Sequence, residues 1–326
     1  MKELIAPCGL AFEDNYAEAM REVVIPYNSS RRKDGYFEGE GGIRLFLSSY
    51  KADNPKAAVT IVHGYSESAE KWQEIIYSLL NHGFDVYAYD ARGHGRSGRD
   101  TRLGGDMTLT HVDRFDDYVM DLRKLRKTLP DGRYILFCHS MGGAVGALYL
   151  EKFCPECGYN KAVLNSPMIA PDRGGYPLFV AKGICDLAVR FGKGAKRSLN
   201  SPPYPGHEKF ESSAAASRAR FEWYDEVKSK TPEFQNYCMT YRLTREYLGV
   251  TAKLLKKGAV ENISVPVMIY QAENDGSVLN EYQDMFASRL KYGNLIKVPG
   301  SKHEIYRSGD KALFPYWESV LKFIET

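Results

Sequence analysis

Tyr134-Ile135-Leu136-Phe137-Cys138-His139-Ser140-Met141-Gly142-Gly143-Ala144 is the stretch from which the rest of the chain is read. It opens as an apolar run of strand type and turns sharply at His139-Ser140-Met141. It leaves through Gly142-Gly143-Ala144-Val145-Gly146-Ala147-Leu148-Tyr149-Leu150, a small-residue segment long enough for a buried helix. A serine at such a turn stands above the sheet edge with a helix N-terminus behind it. Unsatisfied N–H groups there favour developing negative charge. The pattern is that of a nucleophile elbow, G-x-S-x-G, with Cys138 in place of the first glycine. The elbow needs small residues two positions either side of serine, because strand and helix backbones pass close together. Cysteine is small enough to be accommodated.

Working outward from the elbow, short apolar runs alternate with helical periodicity. Tyr36–Gly39 and Ile43–Tyr50 flank Glu40-Gly41-Gly42 as a hairpin. Ala57–Val62 is a short continuous apolar run of the kind buried on both faces of a parallel sheet, and Phe84–Tyr89 is the next strand. Between them, Trp72, Ile75, Ile76, Leu79 and Leu80 recur at helical spacing over 68–81. A helix is expected over 109–129, strands over 134–138, 161–165, 266–271 and 294–298, and helices over 280–291 and 311–324. Residues 1–30 carry little signal beyond a short helix near Asp14–Arg21. From Met168 to Asn262 no strand is evident. That segment reads as a helical insertion, 168–262, in a core formed by 1–167 and 263–326. Strand–helix alternation implies a mostly parallel sheet covered on both faces, with ligands at the strands' C-terminal edge. The insertion would lie over that edge as a lid.

Composition narrows the function. A net charge of +3 over 326 residues gives no reason to expect a nucleic-acid partner. No apolar stretch reaches the roughly 18–20 residues of a spanning helix, and Met1–Cys8 lacks a signal-peptide pattern, so a cytoplasmic location is expected. Six scattered cysteines do not form a disulfide framework. Cys154-Pro155-Glu156-Cys157 has the spacing of half a zinc site or of a redox pair, but with no second C-x-x-C it reads as a helix end and loop. Neither a metal nor a cofactor is expected.

A serine hydroxyl becomes a nucleophile when a histidine, oriented by a carboxylate, takes its proton. After Ser140 only His207 and His303 remain. His207 sits in the proline-rich insertion. His303 follows the last strand, where a base should lie. The acid should follow the preceding strand, which offers Asp275 and, as the alternative, Glu273. The two oxyanion donors are expected to be the N–H of Met141 and that of Tyr65, after His63-Gly64.

These residues carry a resemblance. His63-Gly64-Tyr65, Asp90-x-Arg92-Gly93-His94-Gly95-x-Ser97-Gly98, His139-Ser140-Met141-Gly142-Gly143, Asp275 with Val278, and Gly300-x-x-His303-Glu304 resemble the α/β-hydrolases of the bacterial lysophospholipase and monoacylglycerol lipase group, often placed with serine aminopeptidases. The resemblance covers residues 35–326 and is weakest in the lid. It implies an eight-stranded, mostly parallel sheet, a Ser140–Asp275–His303 triad, and a lipid ester as substrate. The lid adds an apolar stretch, Tyr176–Val180 and Ile184–Phe191, among Arg173, Lys182, Arg190, Lys193, Lys196 and Arg197. That mixture suits an acyl chain together with an anionic head group or a peripheral contact with an anionic membrane surface. A solvated basic face is the plainer reading of the same charges.

Overall fold

The computed structural model describes residues 3–199 and 201–326. Among the described residues ten strands run in chain order: β1 Arg32–Glu38, β2 Arg44–Tyr50, β3 Ala57–Val62, β4 Phe84–Tyr89, β5 Leu109–Thr110, β6 Tyr134–His139, β7 Lys161–Asn165, β8 Cys238–Met239, β9 Val267–Asn274 and β10 Gly293–Lys302. The α-helices are α1 Tyr16–Ala19, α2 Ile25–Arg31, α3 Gln73–Asn81, α4 Asp116–Thr128, α5 Met141–Phe153, α6 Leu178–Arg190, α7 Arg218–Lys230, α8 Tyr241–Leu254, α9 Asn280–Ala287 and α10 Asp310–Glu325. Eight strands form one sheet in the order β1-β2-β4-β3-β6-β7-β9-β10. The β1–β2 and β2–β4 pairs are antiparallel, and every pair from β4 to β10 is parallel.

The central strands read as unbroken apolar runs because their alternate side chains feed two cores. Along β6, Tyr134, Leu136 and Cys138 enter one core with Val119, Leu122 and Leu125 of α4 and the apolar face of α5. Ile135 and Phe137 enter the other, with Trp72, Ile75, Ile76 and Leu79 from the α3 side and Trp317, Val320 and Ile324 of α10. Such double burial is what a period-two pattern looks like when both faces are dry. The loops after β3, β6, β7, β9 and β10 therefore emerge together at one edge.

Three expectations are corrected. The helix foreseen over 109–129 spans only Asp116–Thr128, because Leu109-Thr110 pairs with Cys238-Met239 as a two-stranded ribbon. The inserted segment is thus not free of strands. Its pairing partner lies more than a hundred residues away, beyond the reach of any local periodicity. At the N-terminus the short helix is part of a helical run from Glu13 to Arg31, with a π-helical turn at Met20–Val24. It packs Tyr16, Met20 and Val24 near Trp223 of α7. There the buried Arg220 donates to Glu74 (2.9 and 3.0 Å), to Asp310 (3.2 Å) and to the carbonyl of Ala11 (2.6 Å). One guanidinium so joins the N-terminal segment, α3, α10 and the inserted helix α7.

Candidate active site

Ser140 sits between β6 and α5 with φ 53° and ψ −116°. A left-handed backbone at a non-glycine residue is strained, and it persists only where the surroundings over-determine it. Here the Ser140 N–H donates to the Asn165 carbonyl (3.0 Å), and the Ser140 carbonyl accepts from Ala144 (3.1 Å) and Met168 (2.9 Å). The glycines that follow let the helix approach the sheet. A Cβ on Gly142 would lie 2.1 Å from the Val62 carbonyl oxygen, and one on Gly143 would lie 2.6 Å from Pro167. Cys138 is fully buried, and its Sγ occupies the place where a Cβ on Gly146 would fall, 2.5 Å away. The missing glycine of the elbow is thus matched by Gly146 in the second turn of α5.

The structure brings Ser140, His303 and Asp275 together. His303 Nε2 lies 2.8 Å from Ser140 Oγ, and His303 Nδ1 lies 2.7 Å from Asp275 Oδ2. A carboxylate can only accept, so Nδ1 carries the hydrogen and Nε2 is left to accept from the serine hydroxyl. Asp275 Oδ1 accepts from the N–H groups of Ser277 (2.9 Å) and Val278 (3.1 Å). Burial works to raise the Asp275 pKa, but His303 and these two N–H groups outweigh it, and the carboxyl stays below its ordinary value. Glu273 lies elsewhere, accepting from the Gly300 N–H at 2.8 Å. His207, which is exposed, pairs with Asp225 at 2.7 Å.

Tyr65 and Met141 lie on the two loops beside Ser140. Among the described residues, neither backbone N–H is taken up by another hydrogen bond. Gly64 closes against the elbow: a Cβ there would stand 3.0 Å from the His139 ring and 3.1 Å from Ser140 Cβ. The His63 ring ties this loop to the next. The Ala91 N–H donates to His63 Nε2 (2.9 Å), so Nδ1 carries the hydrogen and donates to the Gly64 carbonyl (2.7 Å). The Asp90–Gly98 segment acts as a structural turn: a Cβ on Gly95 would collide with Asp90 Oδ2 at 2.1 Å.

Sequence reading missed the polar group behind this loop. Glu67 Oε2 accepts from the Gly64 N–H (2.7 Å), while its Oε1 accepts from Tyr306 Oη (2.6 Å) and Lys71 Nζ (3.1 Å). Lys71 also pairs with Glu304 at 2.5 Å, which pairs with Arg307 at 2.6 Å. Burial pushes the Glu304 carboxyl up, but Lys71 and Arg307 bring it down to about 2. For Glu67, Lys71 leads the groups that overcome burial and hold the carboxyl far below its ordinary range. His139, buried beside them, is lowered to about 4 by desolvation despite Glu67, and is neutral at pH 7. The only trace of this network in the sequence is the placing of Glu67 three residues after Gly64 and of Glu304 directly after His303.

The sheet order, the elbow and the covering helices define an α/β-hydrolase fold. The profile of the family described as serine aminopeptidase, S33, matches residues 53–310, and the chain belongs to that family. It is 31% identical over 296 residues to lysophospholipase L2 of Escherichia coli K12, covering 84% of this chain and 82% of that protein. It is 32% identical over 161 residues to a monoacylglycerol lipase of Mycolicibacterium smegmatis, covering 47% of this chain and 53% of that one. Among solved structures, the carboxyl esterase of Bacillus coagulans superposes with a TM-score of 0.72 at 18% identity, covering 90% of this chain and 98% of that one. The Saccharomyces cerevisiae monoglyceride lipase superposes with a TM-score of 0.69 at 16% identity, covering 90% and 96%.

Proposed function

We propose that the protein is a serine hydrolase that cleaves the carboxylic ester of monoacyl lipids, a lysophospholipase reaction, through an acyl-enzyme on Ser140. The observation that carries this reading is the continuous hydrogen-bonded chain Ser140–His303–Asp275 at the strained turn. In the reaction, Ser140 Oγ attacks the ester carbonyl as its proton passes to His303 Nε2. Asp275 holds the ring and stabilises the imidazolium. The carbonyl oxygen gains negative charge beside the Met141 and Tyr65 N–H groups. One such donor is worth about 2.7–4 kcal/mol in the transition state. His303 then returns the proton to the leaving alcohol. Water enters and attacks the acyl carbonyl as its proton passes to His303, which returns it to Ser140 Oγ as the bond to the serine breaks and the fatty acid leaves.

The inserted segment, 168–262, fits the role of a lid that selects the substrate. A cavity of about 510 Å³ lies between α6 and α8, lined by Tyr176, Val180, Ile184, Leu199 and Leu248 among others. Its floor reaches Asp172, whose N–H donates to the carbonyl of Ser277, two residues from Asp275. This is apolar space suited to one acyl chain. The outer face of α6 and its flanks carries Phe179, Leu187, Phe191 and Leu199, of which Phe179 and Leu199 are 79% and 77% exposed. Lys182, Arg190, Lys193, Lys196 and Arg197 stand exposed around them. Apolar residues rimmed by cations suit a peripheral contact with an anionic lipid surface. Among the described residues no helix is long and apolar enough to cross a membrane.

A panel of lysophosphatidylcholine, monoacylglycerol, p-nitrophenyl esters and an aminoacyl-naphthylamide tests the proposal. The lysophospholipid should give the highest kcat/KM and the naphthylamide no turnover. A preference for monoacylglycerol, as the name of the mycobacterial relative would suggest, moves the substrate to glycerides. Turnover of the naphthylamide alone overturns the ester reading.

A further inference from the structure

The serine chemistry leaves one group of nucleophiles unused. Of the six cysteines, Cys8, Cys138, Cys157, Cys185 and Cys238 are buried, and Cys154 alone is partly exposed. Cys154 caps the C-terminus of α5, at the opposite end of that helix from Ser140. Residues 154–157 form a turn, with Pro155 and Glu156 exposed between the two cysteines. A four-residue turn brings its first and last Cα within about 7 Å, close to the roughly 4.4–6.8 Å that a disulfide spans. The spacing C-x-x-C, set aside in the sequence as a helix end and loop, is therefore also a spatial pair.

The two thiols differ in their surroundings. Cys154 Sγ lies beside the Cys157 sulfur, Ser264 and the Val265 N–H. Cys157 lies deeper, and its thiol donates to the Tyr159 carbonyl at 3.5 Å. Donors converging on a sulfur favour its thiolate. They offset both burial and the negative end of the helix dipole. Cys157 leads the neighbours that bring Cys154 down to about 6 against burial, while Cys157 itself is raised, by Cys154 first and by burial next. A partly exposed sulfur beside a buried one is the asymmetry that thiol–disulfide exchange requires: one sulfur attacks, the other resolves.

We propose that Cys154 and Cys157 form a thiol–disulfide exchange site for low-molecular-weight disulfides, separate from the serine centre. The Cys154 thiolate attacks one sulfur of the disulfide RSSR, forming Cys154–S–S–R and expelling RS⁻. The Cys157 thiol then gives its proton to RS⁻ and displaces the second RS⁻ from Cys154. The second RS⁻ takes from solvent the proton that Cys154 gave up on ionising, so two protein thiols become one disulfide and RSSR becomes two RSH.

The test is intact and peptide mass analysis of the native full-length protein after incubation with oxidised glutathione near neutral pH. The wild type should lose two hydrogens, mapped to a Cys154–Cys157 bond, and dithiothreitol should restore them. Cys157→Ser should stop at one glutathione on Cys154, and Cys154→Ser should take up neither modification on the same timescale. A native wild-type protein that acquires no disulfide, or that reacts first at another cysteine, overturns the proposal. The wild-type arm decides this even if a variant folds poorly, and it stands whatever ester the serine centre cleaves.

Discussion

Cys138 Sγ stands where a Cβ on Gly146 would fall, so strand β6 and helix α5 meet through one side chain and one absence. Cys138→Gly should open a small void and lower stability by about 1 kcal/mol while leaving ester hydrolysis within a few-fold. Gly146→Ala alone should clash with the sulfur and cost more. The double variant should recover part of both losses, with a coupling energy of about 0.5–3 kcal/mol. Chemical denaturation of the four proteins measures it, and strictly additive losses would show that the two positions do not share the space.

Glu67 holds the Gly64 N–H, and through it the loop that presents Tyr65. Glu67→Ala should therefore loosen one oxyanion donor while leaving the acyl cavity alone. The expected result is a fall in kcat of about ten- to a hundred-fold, part of the full loss of a donor, with KM little changed. A raised KM at unchanged kcat would assign Glu67 to substrate binding instead.

Acid should destabilise the protein in two stages. His139 has a folded pKa of about 4, below its ordinary 6.5, so its stability contribution is complete above pH 6.5 and is lost as pH falls toward 4. Glu304 is depressed to about 2 from 4.5, so its contribution is complete above pH 4.5 and is lost between there and pH 2. His139 should pull the melting temperature down below pH 6.5, against Glu151, which burial raises to about 8 and which stabilises as pH falls to 4.5, and Glu304 should pull it down further below 4.5. His139→Gln should remove the upper stage and spare the lower. Identical Tm profiles from pH 7 to 5 in the wild type and in His139→Gln would contradict the buried, neutral state of His139.

The exposed cations of the inserted segment should act through long-range attraction, which salt screens over about 8–10 Å. kcat/KM for an anionic lysophospholipid should decline with ionic strength, and that for a neutral monoacylglycerol should not. Replacing Lys193, Lys196 and Arg197 together by Gln should flatten the difference. Equal salt responses in the wild type would mark the cluster as a solvated face only.

Much of the frame was legible in the sequence because its determinants are local. Ala57–Val62, Phe84–Tyr89 and Lys161–Asn165 are strands at the bounds that their apolar runs indicate. Ser140, Asp275 and His303 each follow a strand, and that placement ranked His303 above His207, in the proline-rich insertion, and Asp275, at the turn before Gly276, above Glu273. What escaped depends on distant partners. Leu109-Thr110 became a strand because Cys238-Met239 lies beside it. Glu67 and Lys71 gained a role because Tyr306 and Glu304 return to the same place. The compensation of Cys138 by Gly146 needed the packing of helix on strand, which no local pattern shows.

Ser140 is proposed to form the acyl-enzyme in the hydrolysis of a monoacyl lipid. The most direct test is kcat/KM for lysophosphatidylcholine in the wild type and in Ser140→Ala, with the variant's fold checked by its unchanged Tm. Loss of one triad member costs up to about a million-fold in kcat, so the variant should retain no turnover above background. A folded Ser140→Ala protein that keeps more than a few per cent of the wild-type rate would contradict the account.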